Sequence, residues 1–486
     1  MTRLRTACGA AALALLLPVS ALAQRTAPMP ETGPATLSPV QRLAREVYEE
    51  LVEINTVDSV GSMTEAAEAM ARRFRAAGFP AGDVQVLVPP GKPTKGNLVV
   101  RYRGRGGANA PKPLLLLAHL DVVAANRADW KYDPFVLREE GGYFLGRGTA
   151  DDKAMAAAFV ANLLTYKRQG WVPSRDLILA LTADEEGGPD NGALWLAQNH
   201  KSLIDAAYAL NEGSDEARGA DGRPLYMGIQ AAEKVAQNFT LSTTNPGGHS
   251  SQPRPDNAIY QLAHALERLE SHRFPVALNA VSRAYLERTA TVESPEVAGA
   301  MRALLANSGD SAAARVLDRS VTYRSVLRTT CVATRLAGGH ANNALPQSAT
   351  ANVNCRIVPT SSPDEVAAEL RRIVGDTGVK VTYAAGPKLA AVAPTPVPPE
   401  LLDAAAGIVR DMWGDVPVYP MMSQWATDGA FLRPMGIPTY GISGMFLRPG
   451  EDNSHGLDEK MPVRSFYEGL EFLDRLVRRL AGAPRA

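Results

Sequence analysis

The chain has 486 residues, with 51 Lys and Arg against 51 Asp and Glu and a formal net charge of zero. That balance leaves no basic face for nucleic acid and no polybasic anchor for a membrane surface. A 45% apolar share over this length is globular and long for one domain, so two domains with ample core are expected.

The chain opens on MTRLRTACGAAALALLLPVSALAQ. Arg3 and Arg5 precede an apolar stretch to Val19, and Ala21-Leu22-Ala23 follows. These are the regions of a secretory signal peptide, so residues 1–23 are expected to be removed and the product exported, periplasmic or secreted. The apolar stretch is short for a membrane span, and no other stretch approaches that length. Residues 24–37 form a Pro-rich linker. Export leaves Cys331 and Cys355, both on strand-like segments; a cross-strand disulfide and two free buried thiols fit equally.

Ser38-Pro39 reads as the N-cap and first residue of a helix that carries Val40, Leu43, Val47 and Leu51 on one face. A second amphipathic helix spans about 64–77. Short apolar runs follow at Leu114–Leu117, Leu177–Leu181 and Ala206–Leu210, separated by Ala-rich helical segments near 153–167 and 192–198. Such alternation predicts an α/β domain with a mainly parallel sheet covered on both faces, over residues 38–233. From 234 to 389 the pattern changes. VAQNFTLSTT alternates like a half-exposed strand, helices are expected near 257–269 and 294–306, and SPDEVAAELRRIV is a further helix. This is an inserted α+β domain. A Pro-rich stretch leads back to the first domain, whose second part is 390–486.

In a parallel sheet, ligands bind beyond the carboxyl ends of the strands. The apolar runs end in His119 and Asp121, in Asp184, Glu185 and Glu186, and in Asn211 and Glu212. GRGTADDK supplies Asp151, and DNSHGLDE supplies His455. Imidazole and carboxylate are natural ligands of catalytic zinc. A bridging carboxylate with two further ligands per ion holds two metals roughly 3.5–4 Å apart and needs two His and three acids. His119, Asp151, Glu186, Glu212 and His455 make up that set. A water between two zincs is acidified but still needs a base. The Glu185-Glu186 pair can meet both needs, because adjacent residues at a strand end point in different directions.

The series HLDVV, W, DPF, GRGTADDK, DEEGG, NEG, GGHSSQP, NNALP, NCR and SHGLDE resembles the di-zinc metallopeptidase family of glutamate carboxypeptidase, aminoacylase and carnosine dipeptidase, and looks closest to the yeast carboxypeptidase S branch. The resemblance implies two Zn2+ per chain, with Co2+ or Mn2+ as substitutes. It makes Asp151 the bridging ligand, with a cis peptide to Asp152, and pairs His119 with Glu212 on one ion and Glu186 with His455 on the other. It implies Glu185 as general base and Asp121 as the acid supporting the site. The insertion becomes a lid or dimerisation domain, through which a homodimer can form. Its His249 polarises the scissile carbonyl. Asn343 and Arg356, helped by the Gly441–Gly444 loop, hold the substrate's carboxylate. Ala124 and Ala154 stand where the family often has Pro and Gly; neither change removes a ligand. His200, His264, His272 and His340 match no motif and read as surface or packing residues.

The function expected is an exported zinc hydrolase that cleaves an amide next to a free carboxylate, as a carboxypeptidase or dipeptidase. Deacylation of N-acyl amino acids is the alternative within enzymes. A catalytically silent zinc- or peptide-binding protein is the alternative outside them.

Overall fold

A computed structural model describes residues 31–106, 110–187, 190–291, 293–384 and 392–482. The expected signal peptide, the first half of the linker and the boundary near residue 390 lie outside the described residues. Before the insertion the strands are β1 (Val84–Leu87), β2 (Asn97–Tyr102), β3 (Leu114–His119), β4 (Arg138–Glu140), β5 (Tyr143–Leu145), β6 (Leu177–Thr182), β7 (Tyr208–Asn211), β8 (Asp215–Arg218) and β9 (Pro224–Glu233). The insertion holds β10 (Val235–Thr244), β11 (Gly248–His249), β12 (Thr330–Gly338), β13 (Ala344–Leu345), β14 (Ser348–Ile357) and β15 (Val379–Tyr383). After it come β16 (Val418–Ser423), β17 (Thr439–Gly441) and β18 (Lys460–Pro462).

The large sheet runs β1-β2-β6-β3-β7-β17-β9-β16, with β8 beside β9. Its centre, β6-β3-β7-β17, is parallel throughout. β1, β2 and β6 pair antiparallel, and β9 runs antiparallel to β17 but parallel to β16. All six residues of β3 and of β6 are buried. Alternate side chains enter different cores. Leu114, Leu116, Leu177 and Leu179 join one, while Leu115, Leu117, Ile178 and Ala180 join the other. Helices Pro39–Glu53, Lys153–Gln169 and Val463–Ala481 contribute to the first core, and helix Gly192–Asn199 to the second. Strands buried on both faces need apolar residues at every position, which is why these runs are continuous. The first helix starts as its sequence implies. Ser38 Oγ accepts from Gln41 N and Gln41 Oε1 accepts from Ser38 N, a capping box ahead of Pro39.

The inserted domain is an antiparallel sheet, β12-β14-β10-β15, covered on one face by helices Ala258–Ser271 and Pro363–Val374. Cys331 and Cys355 face each other on β12 and β14 and are joined by a disulfide. Between β10 and β12 the chain forms more helix than its periodicity suggests. Ala280–Thr289, Pro295–Ala306, Ser311–Leu317 and Val321–Leu327 share a core of their own. Val281 and Val326 leave that group for the main core, and Tyr285 lies 6.3 Å from Tyr419 of β16. This helical group therefore rests on the edge of the large sheet. Only Lys234 separates β9 from β10, so the two sheets meet at one residue.

Candidate metal centre

Because β6, β3 and β7 are adjacent and parallel, their carboxyl ends align, and the residues just beyond them share one edge. His119 ends β3. Its Nδ1 lies 3.0 Å from the Asp121 carbonyl oxygen, which fixes the ring so that Nε2 meets Asp151 Oδ1 at 2.9 Å. The other oxygen of Asp151 lies 3.2 Å from His455 Nε2, which is also 2.9 Å from Glu186 Oε2. Donor atoms of His119, Asp151 and Glu186 all fall within 4.8 Å of one another. One carboxylate thus presents one oxygen to each of two histidines, the arrangement a bridging ligand needs. The Asp151–Asp152 peptide is cis.

Glu212 follows β7. It stands at the same sheet edge as His119, because β7 lies beside β3, and burial, then the charges of Glu185, Asp151 and Asp152, push its carboxyl well above the usual range. Glu185 is raised by burial, against the pull of His119, and further by Asp428, Asp151 and Asp121. His455 is pushed up to about 10, chiefly by its hydrogen bonds to Asp151 and Glu186. Crowded acids and two imidazoles suit divalent ions that take N and O ligands. A cation would offset the burial cost and the mutual repulsion that raise Glu185 and Glu212.

The doublet is set from below. The Asp121 carboxylate accepts from Glu185 N at 3.1 Å and from Glu186 N at 2.9 Å. Asp184, in the left-handed region at φ 59°, makes the turn after β6 and is ion-paired to buried Lys95. The His455 loop is unusual in the same way, since Asn453, His455 and Asp458 all have φ between 54° and 64°. Left-handed non-glycine residues cluster where a site demands a particular direction.

Three contributors escaped the sequence reading. Glu459 accepts from the backbone N–H groups of Gly148, Ala150 and Asp151. Arg147 pairs with it at 2.6 Å. Asp428, pushed up to about 6 by burial, accepts from Thr182 Oγ1 and Asn191 Nδ2 beneath the strand end. Glu459 lay inside DNSHGLDE, so its signal was present in the motif.

The proposed substrate residues are distributed differently. His249 and Asn343 share the tip of the inserted domain. β11 pairs with β13, Ser250 N donates to Asn343 O, and His249 Nδ1 faces Ser251 Oγ at 2.7 Å. Arg356 sits at the far end of β14, near Lys234. Eight residues of strand put roughly 26 Å between Ser348 and Arg356. One chain in this conformation therefore does not bring Asn343 and Arg356 onto one carboxylate. Among the described residues, none of the three shares a hydrogen bond or ion pair with His119, Asp151, Glu186, Glu212 or His455. Gly441 and Gly444 have packing reasons to be glycine. A Cβ on Gly441 would lie 2.5 Å from Glu212 O, and one on Gly444 (φ 74°) would lie 2.6 Å from Phe472.

The model of peptidase family M20/M25/M40 matches residues 115–479. The chain belongs to that family. Its fold and its class, a peptidase-family hydrolase, are therefore those the motifs implied. An N-fatty-acyl-amino acid synthase/hydrolase, PM20D1, of Xenopus tropicalis is 27% identical over 390 residues, covering 78% of this chain and 74% of that protein. A probable carboxypeptidase S-like 2 of Dictyostelium discoideum is 27% identical over 398 residues, covering 79% and 74%. The M20 family metallo-carboxypeptidase of Sulfolobus solfataricus shares the fold, with a TM-score of 0.65 at 19% identity over 90% of this chain and 98% of that one. No helix among the described residues is long and apolar enough to cross a membrane.

Proposed function

We propose that this peptidase-family chain is an exported two-zinc enzyme that hydrolyses an amide bond beside a free carboxylate, as a carboxypeptidase or dipeptidase. The observation that carries the reading is Asp151, with one oxygen turned to His119 and the other toward His455. His119, Asp151, Glu186, Glu212 and His455 are the residues that would hold the ions, with cobalt or manganese as substitutes. Bound divalent metal supplies an acidified water and a Lewis acid for the carbonyl. Glu185 takes the proton of the attacking water and returns it to the leaving amine. Its raised pKa suits both halves of that transfer. Asp121 holds Glu185 and Glu186 through their backbone N–H groups. His249 donates to the developing oxyanion, which requires either that the lid close or that a second copy supply the tip. The disulfide and the leader-like N-terminus support export, since disulfides persist in oxidising compartments.

The relatives named as N-fatty-acyl-amino acid synthase/hydrolases favour a second reading, in which the amide joins an acyl chain to an amino acid. Amine release from dipeptides and from N-acyl amino acids, with and without chelator, separates the two. Glu185→Gln should still bind zinc yet lose turnover by about 100-fold or more. Undiminished turnover in that variant refutes the base assignment. Mixing Glu185→Gln with His249→Ala chains tests a shared site, because regained activity requires the tip of one copy to serve another.

A further inference from the structure

We propose that the buried Arg147–Glu459 pair sets the separation of Asp151 from His455, which makes Glu459 a positioning residue for the metal ligands. The proposal rests on reading Asp151 and His455 as ligands. The pair is almost sealed, with side chains 3% and 1% exposed. Both oxygens of Glu459 are fully used. Oε1 accepts from Ala150 N at 2.8 Å and from Asp151 N at 3.1 Å, while Oε2 accepts from Gly148 N at 3.0 Å and from Arg147 Nη1 at 2.6 Å. The carboxylate therefore grips the backbone of Asp151 itself. It stands four residues after His455 and on the same loop. Arg147 closes the frame by donating Nη2 to Gly456 O at 2.8 Å, one residue past His455, and by lying over the Trp130 ring.

Stability alone is a poor account of this pair. Burying two charges costs several kcal/mol per ion, and an apolar pair of similar volume often serves the fold as well or better. What an apolar pair cannot do is accept three backbone N–H groups of the Asp151 loop while fixing the loop that carries His455. That second loop holds three non-glycine residues in the left-handed region and needs an outside constraint to stay so. Partners that orient a ligand in this way typically change metal affinity about 10- to 100-fold when replaced.

The test is zinc affinity of the full mature chain, measured by competition with a chromogenic chelator, alongside the melting temperature of each metal-free variant. Glu459→Gln replaces one acceptor oxygen by an amide nitrogen and should lower zinc affinity by about 10- to 100-fold. Arg147→Lys keeps the charge but loses the two-pronged grip, and should weaken zinc binding to a lesser degree while folding normally. Glu468→Gln is the control. It breaks another Arg–Glu contact, Arg218 to Glu468 at 2.7 Å, and should lower the melting temperature without moving zinc affinity. Wild-type zinc affinity in both Glu459→Gln and Arg147→Lys overturns the proposal, whatever happens to melting. If instead Asp151→Asn binds zinc as tightly as wild type, the ligand reading beneath it fails.

Discussion

Gly441 ends β17 and Gly444 stands three residues later in the loop that follows, yet a side chain at each would meet different neighbours. At Gly441 a Cβ would press on Glu212 O and Ser214 N, both backbone atoms that cannot swing away. At Gly444 it would press on the ring of Phe472, a core residue of the C-terminal helix, from a left-handed backbone. Gly441→Ala should therefore displace Glu212 and reduce zinc affinity with a small loss of stability. Gly444→Ala should cost about 1–3 kcal/mol of stability, as overpacking does, and leave zinc affinity near wild type. Chelator competition and thermal melting on both variants check the pair; the reverse pattern refutes the assignment. The same contrast shows what the sequence makes legible. His119, Glu186 and Glu212 can be placed because each follows an apolar run by no more than a few residues. Glu459 lies inside the DNSHGLDE motif, but its role there is hidden, and Asp428 lies in no motif at all, because their partners lie 308 and 246 positions away. Nothing local marks a carboxylate that serves a distant loop.

The elements that position the site are its most readable part, because strands covered on both faces must be apolar at every position. Leu116 is the middle of such a run, 1% exposed and in the larger core. Leu116→Ala should cost about 2–5 kcal/mol, the range for a buried leucine whose cavity only partly collapses. A urea midpoint at the wild-type value would mean that the strand is not the floor of the site. The helical group of the insertion was less readable for the opposite reason. Ser311–Leu317 and Val321–Leu327 are seven residues each, too short to show a 3.6-residue period, and they hold together through a small shared core. The long helix Lys153–Gln169 also breaks the amphipathic rule. Fourteen of its residues are buried, so its alanines report close packing on every side rather than a polar face.

At the scale of the whole molecule, the link between the two sheets is Lys234, a lysine with no exposed surface. Its Nζ donates to Ser325 O at 2.8 Å and lies 3.4 Å from Thr330 Oγ1, both outside the catalytic sheet. No carboxylate pairs with it among the described residues. Burial, and then repulsion from Arg356, lower its pKa to about 7 from an ordinary 10.5. The sign of the consequence follows from proton counting. Between pH 7 and 10.5 the unfolded chain holds this proton and the folded chain does not, so stability rises with pH, by at most about 1.4 kcal/mol per pH unit. Below pH 7 both states hold it, and the cost of burying the charge is fully present. Lys234→Met removes the titration while filling similar space. The stability difference, wild type minus variant, should therefore grow as pH increases from 7 toward 10, as read from urea midpoints at several pH values. Parallel profiles would show that the amine is not buried in solution and that the junction opens there. A growing difference would show that the catalytic sheet and the inserted domain stay packed around this residue, so that any lid motion must turn elsewhere.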